Sequence, residues 1–82
     1  METTWGLKAR EQIGEWRHIG LFASREQAVH AALQEHPFVA HDEDGCSVFG
    51  LTRDTVNGRC ITEQIAISPT ADGGLRLIEI YP

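Results

Sequence analysis

The sequence predicts an α+β domain: a mostly antiparallel sheet of about five strands, in the order ββαβββ, with one helix packed on one face. Three observations predict it. Apolar residues fall at helical spacing in one stretch only, residues 25–35. Strand-like alternation flanks that stretch on both sides. Turn signals, Asn57-Gly58 and Asp72-Gly73-Gly74, divide the C-terminal half into hairpins.

The elements follow in chain order. Trp5, Leu7 and Ala9 alternate with Gly6, Lys8 and Arg10 in a first strand, and a turn is expected over Glu11–Gly14. In a second strand, Glu15–Ala23, simple alternation puts Ile19 and Leu21 on one face and Trp16 and Phe22 on the other. Apolar residues on both faces call for cover on both sides. Ser24 is a good N-cap for a helix from Arg25 to about Glu35, with Gln27 completing an S-x-x-Q capping box. Glu26 suits the positive end of the helix dipole. The helical stripe is mostly alanine, which predicts close approach to a sheet. Pro37 disfavours helical geometry at His36 and ends the helix there.

A loop over Phe38–Gly45 then leads to three strands, about Ser47–Thr55, Cys60–Ser68 and Leu75–Tyr81. The hairpin register is set by which residues must share a face. A two-residue turn pairing Val56 with Arg59 opposes Phe49 and Leu51 to even-numbered residues. A three-residue turn with Gly58 left-handed pairs Thr55 with Arg59 and Phe49 with Ile65. It gathers Phe49, Leu51, Ile61, Ile65 and Ile67 on one face, and is the register expected. Strand order is not readable from these patterns.

Length and composition bound the function. Eighty-two residues support a single domain, 1–82, with a small core. Twelve acidic against seven basic residues give −5, and no Lys/Arg run exists, which argues against direct binding of nucleic acid. No apolar stretch is long enough to cross a membrane and the first residues are polar, so a cytoplasmic protein is expected. Two cysteines are too few for a secreted disulfide framework.

The densest polar stretch, His36 to Cys46, holds two histidines, three acids and a cysteine. His36 and His41 have nominal H-x(4)-H spacing, and Cys46 with Cys60 would complete four zinc ligands. The cysteines are fourteen positions apart without a close pair, so the expectation is no metal, a solvated acidic turn and two small buried thiols. Cys46 near His41 also lacks any nucleophile signature around it. No glycine-rich phosphate loop occurs, and no cofactor is implied.

Gly20-Leu21-Phe22-Ala23-Ser24-Arg25-Glu26-Gln27-Ala28 resembles the G-x-F-x-S-x-x-x-A run of SPOR peptidoglycan-binding domains. The likeness spans a strand end, an N-cap and a helix start. Those domains repeat β-α-β, and nothing after Pro37 reads as their second helix, so the chain is not assigned to them.

What remains is surface. One short helix covers one sheet face, and two tryptophans in so small a chain favour interfaces. The expected function is a non-enzymatic protein-interaction module, binding another protein or itself as a homodimer. Trp5 and Trp16 supply aromatic contacts, and Asp42, Glu43 and Asp44 an acidic rim toward a basic partner. In size and charge the chain resembles the small acidic inhibitors of phages and mobile elements, anti-CRISPR proteins among them. The alternative is a small metal- or ligand-binding module centred on His36, His41 and Cys46.

Overall fold

The computed structural model describes residues 4–12, 15–56 and 58–80. Their elements are β1 (Trp5–Gln12), β2 (Glu15–Phe22), α1 (Arg25–Glu35), a 3-10 turn (His36–Phe38), β3 (Ser47–Thr55), β4 (Gly58–Pro69) and β5 (Leu75–Ile80). The predicted turn over Glu11–Gly14 falls partly on residues 13 and 14, outside the described set. So does Asn57 of the hairpin turn.

The strands form one antiparallel sheet in the spatial order β2-β1-β3-β4-β5. Strands β2 and β3 flank β1, so they run parallel to each other and need a crossover connection. Helix α1 is that crossover, and it packs over β1, β2 and β3. Ser24 Oγ accepts the Gln27 N–H, and Gln27 Oε1 accepts the Ala23 N–H, so the box closes one residue earlier than its usual form. Ala28 and Ala32 are fully buried, and their small side chains let the helix backbone approach the sheet. Beneath them lie Leu7, Phe49, Leu51, Ile65 and Ile67, all fully buried. Each contributes about 1.5–3 kcal/mol on area grounds. At its N-terminal end the helix is tied to the far strands by Arg25, whose Nε donates to Glu63 at 2.7 Å and whose Nη2 donates to Glu79 at 2.8 Å.

Two β-bulges correct the faces expected from alternation. In β2, Leu7 pairs with Gly20 but Lys8 pairs with His18, leaving Ile19 as the extra residue. Ile19 and Phe22 therefore both pack on the core, while Trp16 and Leu21 share the opposite face. In the β3–β4 hairpin, Thr55 pairs with Gly58, not with Arg59, and the register shifts at Thr62. Phe49 faces Ile65 as expected, by a different route. The same bulge moves Ile61 out of the core, opposite Thr52 on the other face. Gly58 does adopt positive φ, +104°, as does Gly73 at +89°.

Among the described residues the helix side carries the whole buried cluster, closed at one end by Val39 from the loop before β3. The other sheet face carries no helix among the described residues.

Candidate functional site

The uncovered face is assembled by register. Leu21, Gly6, Thr52 and Ile61 form one row across the strands, and Lys8, Gly50, Gln64 and Ile80 a second. Trp16 and Arg10 lead a third row, which runs through Ala66 to Ile78. Two glycines shape this surface. A Cβ on Gly50 would stand 3.2 Å from the Trp16 ring and 3.2 Å from Ile61, so the missing side chain lets the half-buried indole lie across the sheet from edge strand β2. A Cβ on Gly6 would stand 2.1 Å from Thr52 Oγ1. Over that site runs Arg59, donating to Thr4 Oγ1 at 2.8 Å and pairing with Asp54 at 3.2 Å, with weaker bonds to Thr52. Leu21 on β2 is 56% exposed and Ile78 and Ile80 on β5 are 42% each, at the two edges of a face whose middle holds the half-buried Trp16 and Ile61.

The charges are segregated. Four of the seven basic residues, Lys8, Arg10, Arg59 and Arg76, project from this face by register. Among the described carboxylates, Asp54 stands on this face by register, where Arg59 engages it. Glu11 and Asp42 border the face at one end, lining a cleft with Arg10 and Val48. Lys8, Arg10 and Arg76 make no ion pair among the described residues. A chain of net charge −5 thus presents one face that is apolar and basic.

The residues expected to form a partner surface are not together. Trp5 lies on the helix side, packed against the core, with the Arg53 guanidinium 4.6 Å from its ring centroid. Trp16 lies on the opposite face. Asp42, Glu43 and Asp44 are exposed in the loop before β3, at the end of the sheet remote from Trp5. Asp42 is engaged within its own loop, where its Oδ1 accepts the Asp44 and Cys46 N–H groups, both at 2.9 Å, and holds the turn.

The histidine–cysteine reading can be placed as well. His36 and His41 meet, with ring centroids 4.7 Å apart. His36 Nδ1 is 2.6 Å from Ser47 Oγ, and His41 Nε2 donates to the His36 carbonyl at 2.6 Å. Burial, then the neighbouring His41, holds the His36 imidazole below its ordinary pKa. Cys46 is half-buried and Cys60 exposed, so neither is the buried thiol expected. Cys60 pairs with Arg53, seven residues along the strand from Cys46, a separation of about 23 Å. Among the described residues no group of three or more His, Cys, Asp or Glu side chains is arranged to hold a metal ion. Cys46, His41, Asp42 and Arg10 line a cleft of about 160 Å³, below the roughly 300–1,000 Å³ of ordinary ligand sites.

The basic-apolar face escaped the sequence reading, although β5 carried a signal for it. In Leu75-Arg76-Leu77-Ile78-Glu79-Ile80, alternation puts Arg76, Ile78 and Ile80 on one face. No helix of the described residues is long and apolar enough to cross a membrane. Comparison with family models, with curated proteins and with solved structures finds no match to this chain.

Proposed function

We propose that the chain is a non-enzymatic protein-interaction module that holds a second protein against the uncovered face of its sheet. The observation that carries this reading is the composition of that face. Leu21 on edge strand β2 and Ile78 and Ile80 on edge strand β5 are about half exposed on the face that carries Trp16, which also bears cations with no ion pair within the described residues. Exposed apolar residues gathered on one face with a polar rim are what association surfaces present. The face is favoured over the Asp42–Asp44 turn because Asp42 is occupied in its own loop, which leaves Glu43 and Asp44 as rim charges.

The test is a comparison of variants in capturing a stoichiometric partner from the native host. Leu21→Ser with Ile80→Ser is expected to abolish capture with little change in thermal midpoint. Glu43→Ala with Asp44→Ala is expected to retain it. Loss of capture only in the acidic-turn variant would move the function to that turn, as a carboxylate surface toward a basic partner. Substrate turnover by the purified protein would overturn the non-enzymatic reading.

A further inference from the structure

We infer that the occupant of this face is an acidic, apolar-anchored protein segment: a short amphipathic helix with leucine-like side chains on one side and carboxylates near each end. The inference rests on the interaction reading above and specifies its partner chemistry.

Lys8 and Arg10 lie two residues apart on β1, about 7 Å along the strand. Arg76 lies on β5, three strands (about 14 Å) across the order β1-β3-β4-β5 and one register row (about 7 Å) further along than Arg10. It is therefore about 16 Å from Arg10 and about 20 Å from Lys8. Val48, Ala66 and Ile78 form an apolar row beside the line from Arg10 to Arg76, with Ser68 next to Arg76 and Ile80 in the row of Lys8. Carboxylates that meet Arg10 and Arg76 at once must therefore be about 16 Å apart, with apolar side chains between. A helix lying diagonally across the strands reaches that span in about three turns. Its leucines would rest on Val48, Ala66 and Ile78 while its terminal acids face Arg10 and Arg76. This charge complementarity governs approach rate and selectivity more than total affinity.

Other occupants fit less well. A second copy docked face to face on a two-fold axis would gather Lys8, Arg10 and Arg76 from both copies on one interface. A nucleic-acid strand or an anionic membrane would meet three unpaired cations on a chain whose total charge is −5. The half-exposed Ile78 and Ile80 form a floor within a sheet, suited to receiving side chains, whereas bilayer insertion calls for protruding ones.

The experiment titrates the isotope-labelled full chain with a capped amphipathic helical peptide that has leucines on one face and glutamates at both ends. Its isosteric glutamine version, an oligo-dT strand and phosphatidylserine vesicles are run in parallel. The glutamate peptide is expected to move amide signals of β1, β4 and β5, and to bind about tenfold more tightly than the glutamine peptide at low salt, a difference of about 1.4 kcal/mol. Arg10→Gln with Arg76→Gln should remove that tenfold preference. Equal binding of the two peptides on the open face would overturn the acidic-partner inference and leave the interaction reading standing. Absence of any binding on this face, or signals moving only on the helix side, would overturn both. Tighter binding of the oligonucleotide or the vesicles would reassign the face to that partner class.

Discussion

Gly6→Ala tests the way the open face is built. The added Cβ would stand 2.1 Å from Thr52 Oγ1, and Thr52 is 1% exposed. A rotamer change at Thr52 is the available relief, and it breaks the bond from Arg59 Nη1 to Thr52 Oγ1. Overpacking of a buried site costs about 1–3 kcal/mol, and a hydrogen bond to a charged donor adds about 1 when other bonds to that donor survive. Arg59 does keep its bonds to Thr4 and its pairing with Asp54. The expected loss is therefore about 2–4 kcal/mol. A chain of 82 residues has a total stability of roughly 4–12 kcal/mol, so the variant should melt well below the wild type. Thr52→Ala removes the clashing oxygen and should cost about 1–2 kcal/mol alone. The decisive measurement is a urea double-mutant cycle, with the double variant expected within about 1 kcal/mol of Thr52→Ala. Strict additivity would refute the proposed contact between these two positions.

Four further outcomes are expected. Ser24→Ala should cost about 1 kcal/mol in chemical denaturation, because it leaves the Gln27 N–H without its capping oxygen. Gly58→Val should destabilise by about 1–2 kcal/mol through backbone strain alone, since φ is +104° and no atom lies within 4 Å of an added Cβ. Below the ordinary histidine pKa of 6.5, the unfolded chain takes up a proton at position 36 before the folded chain does. The urea midpoint should accordingly fall from about pH 6.5 downward until the folded imidazole also protonates, with a shallower slope in His36→Gln; an unchanged slope would remove His36 as a source. Finally, Cys60 should react with a thiol reagent in the native state faster than Cys46, and air oxidation should yield no intramolecular disulfide, the two thiols being about 23 Å apart.

Much of the fold follows from local chemistry in the sequence. The helix start comes from Ser24 and Gln27. The α-helix stops at Glu35 as expected, but His36 keeps helical angles (φ −47°, ψ −45°) and leads into the 3-10 turn. Pro37 therefore acts locally through its missing N–H, and not by excluding helical geometry at His36. The strand positions and the positive φ at Gly58 and Gly73 are equally local. What the tertiary structure alone decided is which face each side chain meets. Alternation assumes an uninterrupted ladder, and one extra residue inverts everything beyond it. The bulge at Ile19 brings Ile19 and Phe22 to the same core and leaves Trp16 with Leu21 outside. The bulge at Thr62 keeps Phe49 on Ile65 while expelling Ile61. The bulge at Ile19 adjoins Gly20, a strand glycine of the kind that accompanies bulges. The one at Thr62 has no glycine or proline beside it and arises from fitting β4 to β3. Strand order is likewise non-local: β5 contributes Ile78 and Ile80 beside Val48 and Ala66 because β3 and β4 lie between it and β1. The basic, apolar face exists only once those distant pairings are made.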